Sequence, residues 1–68
     1  MKHTYILDFG RQVGTNTYNF LWARTYTNAF DLRYDVAIIK EALIKTGMLD
    51  KVEEYEEATT THVYIIIK

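Results

Sequence analysis

The chain contains no cysteine and no serine. Without cysteine, neither a disulfide nor a thiolate metal site can stabilise the fold. The usual nucleophiles of covalent catalysis are also missing, and no threonine or tyrosine has an identifiable activating partner. We therefore expect a protein that is not an enzyme, with no catalytic residue, no metal site and no cofactor.

An excess of charge of one sign is absent as well, because eight Lys and Arg residues face nine Asp and Glu residues, for a formal net charge of -1. Proteins that bind duplex DNA or anionic membranes usually carry a basic excess. No apolar run approaches the length of a membrane span, and the first residues lack the apolar segment of a signal peptide. The chain is therefore expected to be cytoplasmic and not to bind a membrane, and its charge disfavours nucleic acid as a partner, duplex DNA above all.

Apolar residues, in contrast, are plentiful: hydrophobic residues make up 49% and aromatic residues 15% of the 68 residues. A chain of this length forms a single domain, residues 1–68, that buries only about 60% of the surface exposed by its unfolded chain. Its stability has to come from a dense aromatic and aliphatic core or from association with another chain. Aromatic residues are also enriched in protein–protein contacts. The composition is therefore compatible with a dense core and with association.

One helix is clearly marked, and we predict it from Ala29 to Thr46. Thr27 and Asn28 form a start signal, and Gly47 forms a stop signal. Apolar residues recur at the spacing of one helix face at Leu32, Val36, Ile39 and Leu43. Further apolar residues widen the face that the helix is expected to bury: Ala37, Ile38, Ala42 and Ile44.

Alternating residues predict β-strands at both ends of the chain. Residues 3–9 and 17–26 form an antiparallel hairpin, joined by a long, mobile loop over residues 10–16 with two glycines. Residues 61–68 form the last strand. Because both faces of this strand are apolar apart from His62, we place it in the centre of the sheet.

Residues 49–58 fit two different structures. Their helix propensity is high, yet their four glutamates also suit a charged edge strand that prevents sheets from associating, and this second interpretation is slightly favoured. The fold class is α+β, a two-layer sandwich with a small antiparallel sheet and one main helix on one face. The element order is ββαββ with the edge strand, or ββααβ with a second helix.

The favoured function is that of a protein–protein interaction module. The doubly apolar last strand and the large number of aromatic residues indicate binding to a partner protein, or to a second copy of the chain through a sheet face. The small size and the lack of catalytic residues suit a regulator or inhibitor, and the acidic cluster before the last strand suits docking of a basic partner. The residues expected to make these contacts are Tyr64, Ile66, Trp22, Glu53, Glu54, Glu56 and Glu57.

The alternative function is binding of single-stranded nucleic acid by the second strand. Alternation is expected to place one row of residues on one sheet face: Tyr18, Phe20, Trp22, Arg24 and Tyr26. Aromatic rings on an open sheet can stack on bases, with arginines contacting phosphate. The residues of this alternative are Tyr18, Trp22, Arg24 and Arg11. The row would instead form the core if the helix covered that face, which agrees better with the slight acidity of the chain.

Overall fold

A computed structural model describes residues 2–68. Strand β1 spans Thr4–Gly14, β2 Thr17–Tyr26, helix α1 Ala29–Thr46, β3 Leu49–Glu56 and β4 Thr60–Ile67. The strands form one sheet in the order β2-β1-β4-β3, and α1 packs on one face of it. This two-layer arrangement confirms the predicted α+β fold class and the ββαββ order.

Helix α1 begins and ends where the sequence predicts. The side-chain oxygen of Asn28 accepts a hydrogen bond of 2.9 Å from the backbone N–H of Asp31, and so satisfies one of the free donors of the first turn. Gly47 follows the helix in the left-handed conformation, with a φ of 70°, and its N–H donates to the carbonyl of Ile44 at 3.1 Å. Local sequence is therefore sufficient to define both ends of α1.

The core lies between α1 and the two central strands. Its buried side chains are Leu7, Leu32, Val63 and Ile65. The predicted stripe of α1 is confirmed, because Leu32 is buried and the other three residues pack around it: Val36, Ile39 and Leu43. The predicted widening of this face is wrong, since Ile38 and Ile44 are 50% and 58% exposed. A helix that rests on a sheet buries only the stripe that faces the sheet.

Residues 49–56 form the edge strand β3 rather than a second helix. Val52 pairs with Ile65 and Tyr55 with His62, so β3 is joined to β4 along most of its length. Strand β4 is central, as predicted, between β1 and β3. The ladder along an apolar central strand thus outweighs the helix propensity of the glutamates.

The sheet differs in one respect from the antiparallel sheet of the prediction. Strands β1 and β2 are antiparallel, as are β3 and β4, but the central pair of β1 and β4 is parallel, with Leu7 opposite Val63. Because α1 carries the chain back along the sheet after β2, strand β3 starts at the same end as β2. The second hairpin therefore repeats the direction of the first, which makes the sheet mixed.

The hairpin of β1 and β2 has a tight turn at Thr15 and Asn16, where Asn16 has a φ of 54°. The predicted long loop over residues 10–16 is therefore wrong, since β1 continues through Gly14. Gly10 is a strand residue beneath the ring of Phe20: a Cβ added at Gly10 would lie 2.9 Å from Cδ1 of that ring. This glycine permits close packing and does not form a turn.

A β-bulge moves part of β2 to the other face of the sheet. Trp22 pairs with Phe9, but the next pair is Phe20 with Gly10, which leaves Leu21 without a counterpart. One extra residue in a strand reverses the alternation of its side chains relative to the neighbouring strand. The prediction of a single row on one face is therefore wrong: Trp22, Arg24 and Tyr26 lie on the helix face, and Tyr18 and Phe20 lie on the opposite face.

Candidate binding surface on the sheet face opposite the helix

The sheet face opposite α1, which we call the open face, carries a cluster of aromatic side chains. Tyr64 of β4 lies at its centre. The ring centroid of Tyr64 is 5.7 Å from that of Phe20, 5.6 Å from that of Tyr55 and 4.5 Å from that of His62. Tyr18 extends the cluster beyond Phe20, at 6.5 Å between centroids. These separations are typical of favourable aromatic pairs, so the rings join β2, β4 and β3 across the face.

The aromatic cluster borders a groove of about 450 Å³. Phe20 and Tyr55 are 49% and 52% exposed, whereas Ile66 is 1% exposed. The rings therefore form the accessible walls of the groove, and Ile66 supports them from below. A groove of this size, with apolar walls and a few polar groups, is typical of a binding site.

Two hydrogen bonds hold tyrosines at the sides of the groove. The ammonium of Lys51 donates to the hydroxyl of Tyr18 and lies 4.6 Å from the centre of that ring, a distance at which cation–π attraction operates. The hydroxyl of Tyr55 donates to the carboxylate of Glu53 at 2.9 Å. These hydrogen bonds raise the pKa of Lys51 and the pKa of Tyr55. Both shifts favour the protonated forms that make these hydrogen bonds.

The two histidines have separate hydrogen-bond partners. Nε2 of His62 contacts the carboxylate of Asp8 on the open face, and Nε2 of His3 lies 2.7 Å from the hydroxyl of Thr61. Within residues 2–68, no group of three or more His, Cys, Asp and Glu side chains is arranged to hold a metal ion. The Asp8 carboxylate is instead satisfied by the imidazole beside it.

The charge at the groove is acidic. The carboxylates of Glu53 and Glu57 border it, and no Lys or Arg of the described chain lines it. Lys51 lies at the edge of the groove, where its ammonium donates to Tyr18 and is 3.4 Å from Glu53, so it partly offsets the charge of that carboxylate. Glu57 makes no ion pair within residues 2–68 and contributes the larger part of the negative charge. A phosphate backbone would be repelled here, whereas a cationic side chain would be attracted.

The predicted partner-binding residues are divided between the two faces. The open face carries Tyr64, Ile66, Glu53 and Glu57, and the helix face carries Trp22, Glu54 and Glu56. The burial of Ile66 leaves almost none of its surface for a partner. Sequence reasoning missed Phe20 and Tyr55 as members of the surface, because the first depends on the bulge and the second on β3 being a strand.

The residues of the nucleic-acid alternative do not form one surface. Tyr18 lies on the open face, and Arg11, Trp22 and Arg24 lie on the helix face. Trp22 stacks on Phe9, with centroids 5.1 Å apart and planes 9° from parallel. The guanidinium of Arg24 lies 5.7 Å from the centre of the Trp22 ring and 3.4 Å from the carboxylate of Asp35 on α1. Both side chains are thus engaged in contacts within the domain.

Glu54 is also engaged within the domain, in a bidentate ion pair with Arg33 of α1. Nη2 of Arg33 donates to Oε2 at 3.0 Å, and Nη1 donates to Oε1. These hydrogen bonds lower the pKa of Glu54 and raise the pKa of Arg33. The pair joins the helix to β3 and orients both side chains.

We expect the Arg33–Glu54 pair to stabilise the fold at neutral pH and not in acid. Because the pKa of Glu54 is lower in the folded chain, its contribution is complete above the unfolded value of about 4.3 and is lost as pH falls through the folded value. Glu54→Gln should lower the free energy of unfolding by at most about 1 kcal/mol at neutral pH, since both side chains are more than a third exposed.

Thermal unfolding followed by circular dichroism between about pH 2 and pH 8 measures this effect, because that range spans the titration of carboxylates. The melting temperatures of Glu54→Gln and the wild type should converge at the acid end. Asp50→Asn removes an exposed carboxylate of the same strand. Its melting temperature should show no difference from the wild type that depends on pH. A difference for Glu54→Gln that persists unchanged in acid would mean that the lost ion pair is not its cause.

The open face thus combines partly exposed aromatic rings with the carboxylates of Glu53 and Glu57. Its side chains are already held in place by contacts within the domain. No helical segment in residues 2–68 combines the length and the apolar character that crossing a membrane requires. Comparisons with protein-family models, with curated proteins and with solved structures found no match to this chain.

Proposed function

We propose that this protein is a small, non-enzymatic interaction module of the cytoplasm, whose open face binds a basic segment of a partner protein and thereby regulates or inhibits that partner. The observation that supports this most directly is the groove between aromatic rings that Glu53 and Glu57 border. An arginine of the partner would stack on a tyrosine ring and donate two hydrogen bonds to a carboxylate.

The exposure of the rings supports binding at this face. Phe20 and Tyr55 keep about half of their surface in water, although they contact Tyr64. Aromatic side chains in such positions are enriched among the residues that dominate binding energy. Because neighbouring rings and hydrogen bonds already restrict them, they lose little conformational entropy when a partner covers them.

Inhibition through this surface would need no chemistry from the chain itself. A bound basic segment is covered and cannot reach any other acidic molecule. Carboxylates at the edge of an interface mainly raise the association rate and the specificity, whereas buried aromatic contacts supply affinity. We therefore expect association to slow as salt is added, since salt screens the exposed carboxylates.

Three probes in a nuclear magnetic resonance titration test the proposal. They are a blocked hexapeptide of alternating Arg and Leu, its counterpart of alternating Glu and Leu, and a single-stranded oligothymidine. The Arg peptide is expected to shift the amide signals of residues 53–57 and 62–66 and the ring signals of Tyr55 and Tyr64. Its affinity should fall as the salt concentration rises, and the Glu peptide should cause no shift.

A matched pair of double variants locates the binding site. Glu53→Gln with Glu57→Gln should weaken binding of the Arg peptide roughly 2- to 30-fold, because exposed ion pairs contribute about 0.2–1 kcal/mol each. Glu54→Gln with Glu56→Gln removes the same charge from the helix face and should leave the affinity unchanged. Equal losses in the two double variants would mean that the peptide responds to net charge, which would contradict the proposal.

The oligothymidine distinguishes the alternative function. Because the groove is acidic, we expect no shifts at the open face when oligothymidine is added. Shifts of Tyr18 and Phe20 with oligothymidine, together with none for the Arg peptide, would replace the proposal with binding of single-stranded nucleic acid.

A further inference from the structure

The outer side of α1 carries a regular row of residues that the core does not use. Phe30, Tyr34 and Ile44 are 76%, 60% and 58% exposed. Together with Ala37 and Glu41 they follow one another at steps of four, three, four and three residues. This is the heptad spacing of positions at which two helices pack together. Scattered exposed apolar residues are ordinary. Four of the five residues in this row are apolar, and the fifth, Glu41, pairs with Lys45 at 3.3 Å, so the row offers a second helix a mainly apolar stripe.

This outer row lies away from the sheet of its own domain. Phe30 and Tyr34 are each two residues from Leu32, which places them about 200° around the helix axis from that buried side chain. The stripe that contains Leu32 faces β1 and β4. Within residues 2–68 the outer row therefore does not contact the sheet, and its surface is open to a second molecule.

We propose that two copies of this chain associate through the outer row, with their α1 helices antiparallel and the two-fold axis near Ala37. In this arrangement the aromatic half of each helix, with Phe30 and Tyr34, packs on the half of the other helix that contains Glu41 and Ile44. The small side chain of Ala37 at the axis allows the two helices to approach closely. One surface is thereby used by both copies, as two-fold symmetry requires.

A concave site on α1 matches this register. A groove of about 470 Å³ runs along the helix, and four of its lining residues are Ala37, Lys40, Glu41 and Ile44. Residues at this spacing of three, four and seven positions form the hole that receives one side chain of a facing helix. With the axis near Ala37, the ring of Tyr34 from the second copy reaches this hole, and its hydroxyl lies within reach of the Glu41 carboxylate.

The charges at the two ends of α1 favour the antiparallel direction, whereas Arg33 of each copy would face Lys40 of the other on the opposite flank of the row. Asp31 lies in the first turn and Lys45 in the last turn, so antiparallel helices place each Asp31 near Lys45 of the second copy. Parallel helices would instead bring Glu41 near Glu41 and Lys45 near Lys45. Opposite charges and opposed helix dipoles attract, whereas like charges in register repel.

The length of α1 limits the strength of the dimer. An 18-residue helix is about 27 Å long. A helix pair of this length covers less than the roughly 800 Å² per partner of a standard interface. We therefore expect a dissociation constant in the micromolar range.

The arrangement leaves both open faces free, on the two outer sides of a sheet–helix–helix–sheet dimer. The sequence predicted self-association through a sheet face. In the proposed dimer the helix makes this contact instead. If the open face binds a basic segment, the dimer presents two such sites and gains avidity for a repeated or dimeric partner. Only this consequence depends on the proposed function, because the helix contact itself does not involve the open face.

Analytical ultracentrifugation of the full chain from about 1 μM to about 1 mM tests the association, since this range brackets a micromolar constant. The weight-average mass of the wild type should rise from monomer to dimer. Ala37→Glu, which places two carboxylates at the axis, should weaken dimerisation at least tenfold. Ala42→Glu makes the same change at another exposed alanine of α1, outside the row, and should behave as the wild type.

Single-cysteine variants test the direction and the register, because the natural chain contains no cysteine. Ala37→Cys should form a disulfide-linked dimer readily, and Ala42→Cys should not. Phe30→Cys should not link to itself but should link to Ile44→Cys when the two variants are mixed. Self-linking of Phe30→Cys would indicate parallel helices and would overturn the proposal.

Two results would contradict the helix dimer outright. One is a wild-type mass that stays monomeric over the whole concentration range. The other is a dimer that Ala37→Glu leaves intact, which would place the association elsewhere. Neither result bears on binding at the open face. Ala37→Glu should bind the Arg peptide as the wild type does, so the dimer and the proposed function can fail separately.

Discussion

Leu32→Ala is expected to lower the free energy of unfolding by about 2–5 kcal/mol. Leu32 is 0% exposed and packs among Leu7, Val63 and Ile65, so that its removal leaves a cavity between helix and sheet. A domain of this size has only about 3–10 kcal/mol of stability in total. The variant should consequently unfold at a much lower urea concentration, or be partly unfolded without urea.

Ile38→Ala on the same helix provides the matched control. Ile38 is half exposed, so truncation removes few contacts, and alanine is the better helix former. Measured at high dilution, where no dimer forms, its stability should change by at most about 0.5 kcal/mol. Urea unfolding can be followed in both variants through the fluorescence of Trp22, the single tryptophan. Equal losses would mean that α1 does not pack on the sheet through Leu32.

Gly10→Ala is expected to cost about 1–3 kcal/mol, although it adds a single methyl group. The added Cβ would lie 2.9 Å from Cδ1 of Phe20 and 3.1 Å from the carbonyl oxygen of Asn19. The ring can rotate away, but the carbonyl belongs to the backbone of the paired strand and can move only if the hairpin shifts. The substitution should therefore destabilise the hairpin and displace Phe20 from Tyr64.

Gly14→Ala is the control for this second prediction. The nearest atom to a Cβ at Gly14 is Cβ of Thr17 at 3.6 Å, an ordinary contact, and Gly14 has no positive φ. Replacing such a glycine restricts the unfolded chain, and so should be neutral or stabilise by up to about 1 kcal/mol. Ring signals of Phe20 and Tyr64 should shift in Gly10→Ala alone. If the two variants are equally stable, the ring of Phe20 does not lie over β1.

Much of the fold could be predicted because its signals are local. The cap at Asn28, the stop at Gly47 and the stripe through Leu32 depend only on residues within a few positions of each other. The central position of β4 could be predicted as well, since apolar residues on both faces are typical of a strand that lies between two other strands. These features account for the confirmed fold class and element order.

The candidate site was less predictable because it depends on contacts between distant segments. Glycine is a typical turn residue, so the sequence favours a turn at Gly10. Only the ring of Phe20, which lies directly above Gly10, explains why a glycine occupies this strand position. Tyr55 joins the aromatic cluster only because residues 49–56 pair with β4, although their helix propensity is high. The glutamates around Tyr55 were expected to act together, yet strand alternation sends Glu53 to the open face and Glu54 to Arg33.

The sequence by itself determined the limits of α1, its buried stripe and the central place of β4, because each follows from local spacing and from the burial of apolar side chains. Only the tertiary structure decided that Phe20 and Trp22 lie on opposite faces. The bulge at Leu21 is a property of the pairing between β1 and β2, and the alternation along β2 alone contains no sign of it. The composition of the open face, and therefore the binding proposed for it, follows from that one unpaired residue and from the strand pairing of β3.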